Sequence, residues 1–394
     1  MVAQARVIWD EAFARYDFGP EHPMAPLRLA LTARLCDDLG LFKIDGVEVV
    51  GAAVADDDLV ATVHDRGYIA AVRAASLDPD SADASRGLGT ADDPAFAGMH
   101  EASARIVQGT VDLARAIWAG EVHHGVNFCG GLHHAMPGHA SGFCVYNDIA
   151  VGIRWLLDHG AERVAYVDVD VHHGDGVQSI FWDDPRVLTI SVHESGRALF
   201  PGSGDASEIG GPDAEGAAVN VALPPGTSDA AWLRAIHSVV PQLVRAFDPQ
   251  VLVTQHGCDS HFLDPLAHLS VSVDAQRVVQ ESMHELAHQV CDGAWLATGG
   301  GGYEIIDVVP RSWAHLVAIA AHRPVATSEP VPAPWLEHVE ATFGRQAPPH
   351  MGDGRQTWWR SWEVGHDPDD PVDRAVMATR KAVFPLHGLD PWFD

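Results

Sequence analysis

The chain has 394 residues, with 25 Lys or Arg against 54 Asp or Glu, a formal net charge of −29 when His is taken as neutral. Apolar residues make up 47% and charged residues 20%, a globular composition that excludes a mostly disordered chain. The acidic balance excludes an extended grip on a nucleic-acid backbone, which needs clustered Lys and Arg; it suits basic ligands such as lysine side chains or polyamines.

The amino terminus, MVAQARVIWDEAF, lacks a basic segment followed by an apolar stretch, so no secretory signal is read there. No run of about 18 apolar residues suggests a membrane span. Cys36, Cys129, Cys144, Cys258 and Cys291 are widely spaced, odd in number and form no CxxC pair. That pattern predicts reduced thiols in a cytoplasmic protein.

In chain order, helical periodicity first appears over 102–118, with apolar residues at Ala102, Ile106, Val107, Val111, Ala114, Ile117 and Trp118. A second helix is predicted over 149–157. Strands are predicted over 164–169, 187–192 and 219–223, each rich in β-branched residues. A helix over 230–247 follows, with Ser228 or Asp229 as N-cap. Strands over 251–254 and, more weakly, 295–298 complete the pattern. Continuous apolar strands alternating with helices predict an α/β fold with an open, mainly parallel sheet covered on both faces. At about 150 residues per domain the length allows two or three domains. The expected division is one catalytic domain, 1–323, and a Pro-rich, acidic extension, 324–394. The extension holds Trp358, Trp359, Trp362, Phe384, Trp392 and Phe393, so it is expected to pack on the body or on a neighbouring subunit. Loops at 78–98 and 195–216 are candidate rims of a site.

Four predicted strands end in polar residues. One runs into Asp170, His172, His173 and Asp175; the next ends at His193; a third ends in His256-Gly257-Cys258-Asp259; the last ends in Gly299–Gly302 and Tyr303. Ligands of open parallel sheets bind outside the carboxyl ends of strands, so these endings predict one site on one edge. In an extended strand Asp168, Asp170 and His172 share a face, and two carboxylates with an imidazole make a metal-ligand arrangement; solvation of a strand end is the bland alternative. Gly131-Leu132-His133-His134 offers a base with a partner. The four-glycine run lacks a following Lys-Ser/Thr and is no P-loop; it would let backbone pass close to a ligand and aim Tyr303 inward. His284-Glu285-Leu286-Ala287-His288 is a formal HExxH. On a helix with the apolar stripe Val279, Met283, Leu286 and Val290, its histidines fall beside Arg277 and Glu281, which predicts a solvated face rather than a metalloprotease site.

Taken together, GGLHHAMPGHASGFCVYND (130–148), YVDVDVHHGDGVQSIF (166–181), SVHESGRALFPGSG (191–204), HGCDS (256–260) and GGGGY (299–303) resemble the zinc-dependent histone deacetylase family, whose architecture is arginase/deacetylase-like. The order and spacing agree over about residues 15–320, from His22-Pro23-Met24-Ala25-Pro26-Leu27-Arg28 to Tyr303. The HESGRALFPG loop and the ending AVFPLHGLDPWFD resemble the bacterial acetoin-utilisation branch.

The resemblance implies an amidohydrolase removing acetyl groups from acetyl-lysine of cytosolic proteins. Asp170, His172 and Asp259 would hold Zn2+, with Fe2+ an acceptable exchange for so hard a donor set. His134 would be the general base, His133 its partner, and Asp168 and Asp175 the carboxylates orienting them. Tyr303 would stabilise the oxyanion. Gly142, Phe143 and Phe200 would line the acyl-lysine tunnel, Asp92 would hold substrate backbone, and Arg28 would line an exit path for acetate. A K+ or Na+ ion would lie near Asp168, Asp170, His172, Ser191 and Val192, another near Phe181, Asp184 and Val187. Where nuclear members carry an aromatic rim, this chain has Glu194-Ser195-Gly196-Arg197, a charge change at the mouth that weighs against histone tails. Acetylpolyamine or another small acetylated amine is the alternative substrate. An arginase-like di-manganese ureohydrolase using Asp264, or an inactive scaffold, is the further alternative. No nucleic-acid or membrane partner is expected, and oligomeric state is open.

Overall fold

The computed structural model describes residues 3–394. Among these, eight strands form a single sheet: β1 (Ala3–Ile8), β2 (Val47–Val50), β3 (Val122–Asn127), β4 (Val164–Asp168), β5 (Val187–Glu194), β6 (Ala218–Leu223), β7 (Val251–Gln255) and β8 (Trp295–Thr298). Their spatial order is β2-β1-β3-β8-β7-β4-β5-β6, and every pairing is parallel. The helices are α1 (Leu27–Asp38), the single turn α2 (Asp57–Val60), α3 (Arg66–Leu77), α4 (Met99–Trp118), α5 (Asp148–Asp158), α6 (Asp175–Ile180), α7 (Asp229–Phe247), α8 (Val273–Val290), α9 (Val309–Ala320), α10 (Ala333–Phe343) and α11 (Pro371–Val383).

The central strands β4, β5, β7 and β8 are buried at every position. That is what unbroken Val, Leu and Ile runs require: a parallel sheet needs helices on both faces. The open parallel α/β architecture read from the sequence is therefore the observed one. Ser228 is the N-cap of α7. Three strands escaped the periodicity reading. β2 is only four residues long, β1 (AQARVI) breaks its apolar residues with Gln4 and Arg6, and β3 (VHHGVN) hides its β pattern behind His123 and His124.

The predicted strand 164–169 is cut short at Asp168. The Asp168 carboxylate accepts the backbone N–H of Asp170 at 3.1 Å, and the Asp170 carboxylate accepts that of His172 at 3.0 Å. Two successive Asp side chains bond backbone two residues on and so compete with the sheet ladder. Asp170 and His172 consequently sit in turns beyond the strand, not on its pleat.

The segment after α9 packs on the body. Trp335 is fully buried and donates through Nε1 to the Leu31 carbonyl at 3.0 Å. α11 lies against α7 and the outermost strand β6; Thr379 donates its hydroxyl to the Asn220 carbonyl of β6 at 2.5 Å. The buried Arg234 of α7 binds Asp373 of α11 through two contacts, 2.5 and 2.8 Å. Trp358, Trp392 and Phe393 stay exposed. No helix among the described residues is long and apolar enough to cross a membrane.

Candidate metal and active site

The carboxyl ends of the adjacent strands β3, β8, β7, β4 and β5 converge. The loop after β3 carries His133 and His134, that after β8 the glycine run and Tyr303, that after β7 Asp259, and that after β4 Asp170 and His172, with Asp175 opening α6. Asp168, Asp170 and Asp259 have no exposed surface, and His133, His134 and His172 have 8% or less.

Asp170, His172 and Asp259 bring their donor atoms within 4.8 Å of one another. His172 Nδ1 lies 3.1 Å from an oxygen of each carboxylate. The other carboxylate lone pairs are already fixed. Asp259 accepts the Val171 N–H at 2.9 Å; Asp170 accepts the Gly301 N–H at 2.8 Å and the Gln255 side-chain amide at 2.7 Å. Burial opposes charge on Asp170, yet His133 and His172 hold its carboxyl well below the usual range. Burial and the Asp170 charge push Asp259 up. Burial alone would lower His172, but Asp170 and Asp259 outweigh it and raise the ring. Two buried carboxylates facing each other thus draw positive charge to the point between them. A borderline divalent cation fits that one-imidazole, two-carboxylate set.

The glycines around this set leave space no side chain could share. A Cβ on Gly301 would stand 1.9 Å from an Asp259 oxygen, and one on Gly257 would stand 2.0 Å from an Asp170 oxygen. Arg28, buried at the back of the loop, donates to the Gly300 and Gly302 carbonyls at 2.8 and 3.2 Å and stacks over Trp313. It clamps the segment leading to Tyr303.

His133 Nδ1 donates to Asp168 at 2.7 Å, and His134 Nδ1 donates to Asp175 at 2.6 Å. The two Nε2 atoms face each other at 3.0 Å. Burial disfavours charge on His133, but Asp168 and Asp170 prevail and push it up to about 9. Burial and the neighbouring His133 charge push His134 down. One ring therefore carries the proton and the other stays neutral. Tyr303 packs edge-on against Phe143 with ring centroids 5.7 Å apart; burial, Asp259 and Asp170 keep its hydroxyl protonated.

Phe200 is 43% exposed, and its ring centroid is 5.0 Å from that of His134. Gly142 has φ +57, and a Cβ there would lie 2.3 Å from the His134 ring. Asp92 reaches over from the first rim loop to accept the Gly142 N–H at 2.8 Å. Ser191 is in register with Asp168, beside Val192 in β5. Phe181 and Asp184 lie in the turn between α6 and β5, and Val187 is the first residue of β5. There the Phe181 and Asp184 carbonyls accept backbone N–H groups, and the Asp184 carboxylate is taken by Arg186 and, at 3.7 Å, Arg154. Asp264, which a di-manganese centre would need, accepts the Tyr303 N–H at 2.8 Å instead.

Two expectations change. Glu194 adds no charge to the mouth: it is buried and accepts from the His268 backbone and ring, both at 2.9 Å. Only Arg197 of that pair is exposed. The HExxH histidines do not form a plain solvated face either; they turn toward His124 and His322. Several supports escaped the sequence reading. Gln255 holds Asp170, and Tyr166 donates its hydroxyl to Asp168 at 2.6 Å. Asp148 accepts the Gly131 and Leu132 N–H groups that set the His133–His134 turn. Gln255 directly follows the predicted strand 251–254, the signal that could have found it; Asp148 carried no such signal.

Residues 22–320 match the family model described as histone deacetylase domain. The chain is 42% identical over 344 residues to the acetoin utilization protein AcuC of Bacillus subtilis (strain 168), covering 87% of this chain and 84% of that protein. It is 36% identical over 354 residues to the protein of the same name from Staphylococcus xylosus, covering 89% and 91%. The Staphylococcus aureus (strain MSSA476) counterpart is 37% identical over 331 residues, covering 84% of each.

Proposed function

The chain belongs to the histone deacetylase family, and from that premise we propose that it is a zinc-dependent amidohydrolase releasing acetate from acetyl-lysine of cytosolic proteins. One observation carries the reading: Asp170, His172 and Asp259 converge beside a His134–Asp175 pair held at 2.6 Å. The three donors would hold the zinc, or Fe2+ in its place. Bound there, the ion would supply Lewis-acid polarisation of the acetamide carbonyl and a lowered pKa for water.

The remaining chemistry belongs to the chain. Asp175 keeps the His134 proton on Nδ1, so Nε2 is its basic nitrogen; the His133 Nε2–H points at it from 3.0 Å, and once released from that contact it would accept the proton of the attacking water and later return it to the departing amine. His133, charged and held by Asp168, supplies positive potential beside that transfer. The Tyr303 hydroxyl donates to the acetamide oxygen as it gains charge, a contact worth about 3 kcal/mol in comparable sites. Phe143 and Phe200 flank the aliphatic stem, and Asp92 fixes Gly142 between them. Residues 1–323 would form the catalytic unit, with 324–394 strapped to it. By likeness to the relatives' name, a part in acetoin utilisation is proposed as well.

Hydrolysis of an acetyl-lysine peptide, with and without chelator, tests the reading. Activity untouched by chelation or by His134→Ala would sink it. The −29 charge favours a second substrate class, acetylated polyamines; a higher kcat/KM on acetylspermidine than on peptides would select it.

A further inference from the structure

The amino-terminal end of the sheet carries a second histidine cluster. His124 is the third residue of β3 and lies in register with Trp295, the first of β8. His284 and His288 are one turn apart on α8. His322 follows α9 in a left-handed conformation, φ +53, that few non-glycine residues adopt. One nitrogen from each of the four rings lies within 4.8 Å of the others.

The rings present bases, not just edges. His124 has no exposed surface, and its Nδ1 donates to the Ala320 carbonyl at 2.7 Å. That bond fixes the tautomer and leaves a lone pair on Nε2, which faces His288 Nε2 at 3.1 Å. His284 Nε2 is buried and has no hydrogen-bond partner among the described residues. Tetrahedral zinc with Zn–N bonds of about 2.0–2.1 Å needs nitrogens about 3.3 Å apart, so the His124–His288 spacing already suits it. Trp295 floors the cluster, with ring centroids 5.7 Å from His124 and 5.6 Å from His284. Gly293 makes room for His288: a Cβ there would meet the ring at 2.7 Å.

We infer that His124, His284, His288 and His322 form a second metal centre, a closed four-imidazole site for a divalent transition ion such as Zn2+. Imidazoles favour Zn2+, Cu2+ and Ni2+ over hard cations. Four protein ligands leave no open position, which marks the centre as structural, tying β3, α8 and the end of α9 together. Glu285, the base of a zincin, is exposed. The centre does not depend on the deacetylase reading.

The test uses untagged full-length protein, equilibrated with Zn2+, desalted and analysed for metal. Wild type is expected to hold about two zinc ions per chain. An Asp170→Ala/Asp259→Ala variant should retain about one, and its thermal midpoint should still rise when Zn2+ is added. His284→Gln/His288→Gln should lose about one ion while keeping acetyl-lysine hydrolysis within about twofold of wild type. His322→Gln, an exposed position, serves if the double variant fails to fold. Equal zinc content in wild type and the histidine variants would overturn the proposal. So would an Asp170→Ala/Asp259→Ala protein whose midpoint ignores Zn2+.

Discussion

His134 Nδ1 stands 2.6 Å from a carboxylate oxygen of Asp175, and that contact decides which nitrogen of the ring carries a proton. Asp175→Asn replaces an acceptor by an amide that can turn either end to the ring. The wrong tautomer then becomes available, and kcat should fall about 10–100-fold with KM little changed. Steady-state kinetics on an acetyl-lysine peptide check this; an unchanged kcat would detach Asp175 from the reaction.

Gly142 cannot take a side chain without moving the His134 ring, 2.3 Å from where the Cβ would sit. Its φ of +57 adds backbone strain for any other residue. Gly142→Ala should cut kcat/KM by about 100-fold, since a shift near 1 Å at a catalytic group has that cost. The thermal midpoint, measured alongside, separates this from general unfolding.

Removing Asp259 leaves the buried Asp170–His172 pair without its third donor. Asp259→Asn should lose zinc and more than the about 10–100-fold in activity that an outer partner commands. Chelation of wild type should do the same, and added Zn2+ or Fe2+ should restore only the chelated wild type. Metal analysis beside the activity assay reads both outcomes.

His64 is buried and needs to be neutral. Its Nδ1 donates to the Met136 carbonyl at 3.0 Å, and its Nε2 accepts the Asn147 N–H at 2.9 Å. Burial pulls its pKa down to about 4. The unfolded ring protonates near 6.5, so between these values the unfolded chain binds more protons. The contribution is complete above about pH 6.5 and is lost as pH falls toward 4, by at most roughly 3 kcal/mol. Thermal midpoints of wild type should drop between about pH 7 and 5. His64→Gln, which can make both bonds uncharged, should flatten that drop; parallel curves would contradict the assignment.

Arg234 and Asp373 are both buried, at 5% and 0% exposure. Asp373→Ala would strand the guanidinium and cost about 3–5 kcal/mol. A lower unfolding midpoint is expected, with kcat and KM unchanged below it. Loss of activity without loss of stability would mean that the carboxyl-terminal segment acts on the site.

What was readable in the sequence follows from the range of the forces involved. The buried strands 187–192 and 251–254 announce themselves through consecutive apolar residues; Asp259, after the second, does meet Asp170 and His172, while His193, after the first, turns to Ser191 and the Gly204 carbonyl. β3 does not, because its two histidines break the pattern that Val122 and Val126 begin. The turns that lift Asp170 and His172 off the strand follow from local Asp-to-backbone bonds, yet alternation alone predicted a longer strand. Glu194 read as mouth charge because nothing near it in the chain reveals His268. The four-histidine cluster was least legible. Its members come from β3, α8 and the end of α9, and only the fold brings them together.

The position of α11 has a consequence for self-association. A sheet that grows by strand addition into a filament needs a free edge on both sides. Here the β6 side is covered by a helix whose Thr379 hydroxyl holds the Asn220 carbonyl of that strand. Among the described residues, only the short β2 margin could accept another chain. Such pairing would join two copies back to back and then stop, so the fold guards against open-ended polymerisation with the segment farthest from its chemistry in sequence.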